Sequence, residues 1–155
     1  MKKCYLHIGN FKTGSTSLQS FLYINKNIFK KKNFQLIYEK NYFKKHINNQ
    51  NLYKYFDKKN LKKIKNYFSG VKKNSNIIIS SEFFSCFSYN ISKIDYIKKT
   101  ILKLGFKPII IFYYRSDNSY LYSLYAQQMT QRKSIEIDSI FNFTKKLKKF
   151  GYYFN

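Results

Sequence analysis

Short, unbroken apolar runs alternate along this chain with longer stretches in which apolar residues recur at helical spacing. Residues 4–9 (CYLHIG) read as a buried strand that ends on a glycine. From Gly14 to about residue 28 the spacing turns helical, with Leu18, Leu22 and Ile28 or Phe29 on one face. Residues 34–38 (FQLIY) predict a second strand. The stretch 39–75 is rich in Lys, Asn and Tyr, and it predicts one helix over 51–68 with Leu61, Ile64 and Phe68 on its apolar side. His46, within the same stretch, reads as a solvated residue.

Residues 76–80 (NIIIS) form a continuous apolar run, the pattern of a central parallel strand covered on both faces. The next helix carries the clearest signature. Ser92 and Asp95 make a capping-box pattern, Ile94, Ile97, Ile101 and Leu104 repeat along one face, and Gly105 ends it. Residues 108–114 (PIIIFYY) predict a second fully buried strand. Ser116 or Asp117 can then cap a helix to about Arg132, and a last helix is expected over 138–150. Strands alternating with helices imply an α/β fold with a mostly parallel sheet. In such sheets ligands bind beyond the carboxyl ends of the strands, so chemistry is sought at 9–17, 80–85 and 115–123.

Composition narrows the partners. The 155 residues are expected to make one domain, and 44% hydrophobic content excludes a disordered chain. Only 5 Gly and 1 Pro exclude collagen-like and linker sequences, while Cys4 and Cys86 lie too far apart for a zinc pattern. Against 7 acidic residues stand 30 basic ones, a net charge of +23, but 28 of them are Lys. The favoured residues Lys, Asn, Ile, Phe and Tyr share AT-rich codons, and a nucleic-acid binder leans on Arg for bidentate contacts. Nucleic acid is therefore not the expected partner, whereas an anionic small molecule suits the field. No targeting segment and no apolar run of about 18 residues is found, so a cytoplasmic chain without a membrane span is expected.

The segment 7–19 (HIGNFKTGSTSLQ) joins a strand to a helix through a glycine-bounded loop holding a lysine. Helix-start N–H groups and the helix dipole favour a bound phosphate there. Lys12 adds a point charge, and Thr13, Ser15, Thr16 and Ser17 add hydroxyl donors around Gly14. It is not a Walker A loop, because Lys12 precedes Gly14 and no lysine follows it.

These residues resemble the 5′-phosphosulfate loop of the PAPS-dependent sulfotransferases, particularly their bacterial carbohydrate-type branch. PAPS, 3′-phosphoadenosine 5′-phosphosulfate, is the sulfuryl donor of that family. A second segment is similar as well. In the family an arginine at a strand end and a serine eight residues on hold the donor's 3′-phosphate, and Arg115 and Ser123 stand at that spacing. The resemblance implies a P-loop-like three-layer α/β/α domain over 1–155. It also implies sulfuryl transfer from PAPS to a hydroxyl or amine, a saccharide acceptor, adenosine 3′,5′-bisphosphate as product, and no metal.

Family members carry a His or Glu base near the sulfuryl group, some of them after the strand that corresponds to 76–80. Glu82 occupies that position, beside apolar Phe83 and Phe84, and His7 is the other candidate base. Lys12 is then expected to stabilise the leaving phosphate oxygen. Relatives usually continue past this point, so the domain is expected to be incomplete at its C-terminal end. The alternatives are a non-catalytic nucleotide-binding fragment of the same fold, or a P-loop kinase-like enzyme, which the missing lysine after Gly14 disfavours.

Overall fold

The computed structural model describes residues 1–9, 13–39, 49–72, 74–113 and 116–131. Strand β1 (Lys2–Gly9) is the central element. It pairs in parallel with β3 (Asn76–Ser80) on one side and with β4 (Phe106–Tyr113) on the other. Strand β2 (Phe34–Ile37) adds outside β3, which gives the all-parallel order β2-β3-β1-β4. The expected α/β class with a parallel sheet is what the chain forms.

Alternation along β1 sends Cys4, Leu6 and Ile8 to one face and Tyr5 and His7 to the other. The first face is covered by α3 (Gln50–Asp57), α4 (Leu61–Phe68), a 3₁₀ helix (Glu82–Phe87) and α5 (Ile91–Lys103). Leu6, Ile77, Ile79, Phe56, Ile64 and Ile101 close the main core there. The opposite face receives α1 (Ser15–Ile24) and α2 (Lys26–Lys31), with Leu22 packed on Ile78 beside Leu18 and Phe29. Handedness explains this division. The β1-to-β2 connection runs one way across the sheet and the later ones run back, so right-handed crossovers place their helices on opposite faces. Three layers result.

Several elements differ from expectation for local reasons. The helix expected over 51–68 is two helices, because Lys59 turns left-handed at φ 50° and the Asn60 side chain then caps α4 by accepting the Lys63 N–H. The helix from Gly14 likewise divides at Asn25 into α1 and α2. Helix α5 is capped by Asn90, whose Oδ1 accepts the Lys93 N–H at 3.1 Å; Ser92 donates to that same oxygen instead of capping. Gly105, at φ 85°, ends the α5 turn as expected. Strand β4 is not fully buried: Ile110 and Phe112 are 54% and 50% exposed. Helix α5 returns over β1 through Ile97 and Ile101, and it leaves a cleft floored by Leu6, Ile8, Pro108 and Ile110.

Two compact units are distinguished, Met1–Tyr113 and Tyr114–Asn155. The sheet and α1 to α5 make the first. In the second, α6 (Asp117–Gln131) begins after Ser116, whose carbonyl accepts the Tyr120 N–H at 2.8 Å. The helix expected over 138–150 lies outside the described residues.

Candidate functional site

After β1 the chain turns to α1 on one face of the sheet, and after the neighbouring β3 it turns to the 3₁₀ helix on the other. Adjacent strands whose connections part in this way open a crevice at their carboxyl ends. Gly9 ends β1, Thr13, Gly14 and Ser15 follow it, and Glu82 follows β3. Lys12 and Arg115 lie outside the described residues.

Gly9 is required by what folds over it. A methyl group there would stand 2.8 Å from Thr13 Oγ1, 2.9 Å from Ser15 Oγ and 3.3 Å from His7 Nε2. Only a residue without a side chain lets both hydroxyls and the imidazole approach one point of the backbone. The two hydroxyls lie 3.5 Å apart. Gly14 then adopts φ 84° and enters α1 as its N-cap without a side-chain hydrogen bond, and the first turn holds no acidic residue. The N–H groups of that turn find no acceptor in the helix itself, and no carboxylate of the turn offsets the positive end of its dipole. Ser15 is buried, whereas Thr16 and Ser17 are exposed on the same turn.

His7 is 1% exposed and faces the α1 side of the sheet. Its Nδ1 lies 2.8 Å from Ser80 Oγ, its register partner on β3, and the Tyr113 ring of β4 meets it edge-on at 4.9 Å. Among the described residues Nε2 has no hydrogen-bond partner, and neither does the wholly buried hydroxyl of Ser81. Burial lowers the imidazole pKa below its ordinary value, which favours the neutral ring. The Ser81 N–H donates to the His7 carbonyl at 3.1 Å and ties the two strand ends together. Glu82 follows at once, half-buried at the start of the 3₁₀ helix, and its carbonyl accepts the Ser85 hydroxyl.

Sequence reasoning missed the residue that fixes the end of β3. Asn49, wholly buried, donates to the Ser80 carbonyl and accepts from Tyr67. It sits in the Lys/Asn/Tyr-rich stretch 39–75, just before the helix expected there, so only its buried contacts reveal it. Ser123, expected beside the donor's 3′-phosphate, lies half-buried on α6 in the second unit.

Among the described residues no three of His, Cys, Asp and Glu gather as a metal site, and no helix is long and apolar enough to cross a membrane. The β1–α1 turn thus brings helix-start N–H groups and hydroxyls beside an imidazole whose neutral form is favoured, a set of groups suited chemically to a tetrahedral oxyanion. No protein-family model and no curated protein matches this chain.

Proposed function

We propose that the β1–α1 turn is the donor site of a PAPS-dependent sulfotransferase, acting on a hydroxyl of a saccharide. One observation carries most of this reading. Thr13, Ser15 and His7 close over Gly9 at the start of a helix whose N-cap, Gly14, offers no side-chain acceptor, at the point where the sheet's connections part. The order of glycine, lysine and hydroxyls in 7–19 supplies the remainder.

The chemistry is in-line displacement at sulfur. The acceptor oxygen forms a new S–O bond while the bond to the donor's bridging phosphate oxygen breaks. Glu82 receives the acceptor's proton. Lys12 and the N–H groups at the start of α1 offset the charge that develops on the departing phosphate. Arg115 and Ser123 are assigned to the 3′-phosphate, where a planar guanidinium gives a two-pronged contact. The +23 net charge draws such a polyanionic donor from solution.

Thermal unfolding with adenosine 3′,5′-bisphosphate, compared with ATP plus magnesium, tests the assignment. The bisphosphate is expected to raise the midpoint, and Lys12→Ala or Arg115→Ala to abolish the rise. A preference for ATP–magnesium assigns the turn to a kinase-like enzyme instead. Equal shifts with any polyanion reduce it to lysine electrostatics.

A further inference from the structure

The two buried side-chain polar atoms without partners among the described residues, His7 Nε2 and Ser81 Oγ, lie at the ends of adjacent strands. Unpaired buried polar groups are costly, and one kept beside a strand end points to a function there. Of the two, His7 is the better constrained. Ser80 holds Nδ1, Tyr113 stands against the ring, and Nε2 faces the point on Gly9 where Thr13 Oγ1 and Ser15 Oγ converge.

We infer that His7 is a positioning residue for the anion site, linking Ser80 on β3 through its imidazole to the hydroxyls of Thr13 and Ser15. The Ser80 hydroxyl donates to Nδ1, which leaves the proton on Nε2. With an anion bound, Nε2–H donates to the hydroxyl oxygen of Thr13 or Ser15. That hydroxyl then directs its own hydrogen to the anion. The imidazole thereby converts ambivalent hydroxyls, able to donate or accept, into committed donors. Burial favours the neutral ring that this arrangement needs. The inference rests on the anion-binding assignment of the loop and adds a residue to it, with His7 as an orienting group and not a base.

The chain holds only two histidines, His7 and His46, so a His46→Gln background leaves one imidazole to observe. With histidine labelled in ¹⁵N, long-range proton–nitrogen correlation reads the tautomer directly. The free protein is expected to show Nε2 protonated and Nδ1 bare. Addition of adenosine 3′,5′-bisphosphate is expected to move the Nε2 resonance. An Nδ1-protonated ring in the free protein overturns the inference, whether or not the bisphosphate binds. A wild-type chain that does not bind the bisphosphate overturns the assignment of the loop itself.

Two variants add a functional arm. A Gln amide nitrogen reaches about where Nε2 lies, and an Asn amide about where Nδ1 lies. His7→Gln is therefore expected to bind the bisphosphate within about threefold of the wild type, and His7→Asn about tenfold more weakly. Equal affinities for the two variants overturn the inference, and thermal unfolding checks that both fold.

Discussion

Asn49 Nδ2 donates to the carbonyl oxygen of Ser80 across 3.0 Å, while its Oδ1 accepts the Tyr67 hydroxyl at 2.8 Å. One buried amide thus joins the start of α3, the face of α4 and the last residue of β3. Ser80 is in turn the residue that holds His7. The polar crevice therefore has a foundation on the far side of the sheet.

Replacing Asn49 by Leu removes the donor to the buried Ser80 carbonyl and one of the two partners of the Tyr67 hydroxyl, the other being Glu39. A loss of about 2–4 kcal/mol is expected, and about 0.5–1.5 kcal/mol for Tyr67→Phe, which removes only the hydroxyl. Urea unfolding measures both. An Asn49→Leu loss under about 0.5 kcal/mol contradicts this role.

Gly9→Ala is expected to displace the loop, because its methyl meets Thr13 Oγ1 and Ser15 Oγ below 3.0 Å. Stability is expected to fall by about 1–3 kcal/mol, with bisphosphate binding lost. Adding Thr13→Ala and Ser15→Ala removes both clashes, so stability recovers and binding does not. Recovery of binding in the triple variant assigns the anion contacts elsewhere.

Acid should weaken the fold through His7. Its folded pKa lies below the ordinary 6.5, so between those values the unfolded chain carries the additional proton. Stability that depends on the neutral ring is complete above 6.5 and is lost as the pH falls towards the folded value. Glu39 acts in the opposite sense, because burial raises its pKa above 4.5 and protonation then favours the folded state. Urea midpoints across about pH 5 to 7.5 are expected to decline on the acid side, and less steeply in His7→Gln. An unchanged slope in His7→Gln removes His7 as the cause.

Thiol labelling offers a simple check of the core. Burial pushes the Cys4 thiol up to about 12, whereas Cys86 is exposed. One equivalent of reagent is expected to react with the native chain, and the second only as the chain unfolds. Two rapid equivalents are incompatible with Cys4 lying in the middle of β1.

Much of this architecture was legible in the apolar runs. The run 76–80 coincides with β3, and Gly105 ends α5 where its position predicts. The hydroxyls of the β1–α1 turn were legible too, because a glycine-bounded turn between strand and helix places them by chain geometry alone. What failed depended on tertiary contacts. Nothing in the composition around Lys59 marks a left-handed residue, so one helix was expected where two form. Asn90 outcompetes Ser92 as a cap because its side chain already stands one turn ahead of the Lys93 N–H. Asn49 has no periodic signature, and its function follows only from a strand end that needs a donor.

The central position of β1 has a kinetic consequence. Its partner on β3 lies 73 residues further along the chain, and β4 lies later still. No neighbouring segment can complete β1, so the sheet closes only after long intervening loops have been ordered. Such topologies fold slowly and leave apolar strands uncovered while they wait. Mutual repulsion among 28 lysines would hold waiting chains apart, giving the surplus charge a role before any ligand is met.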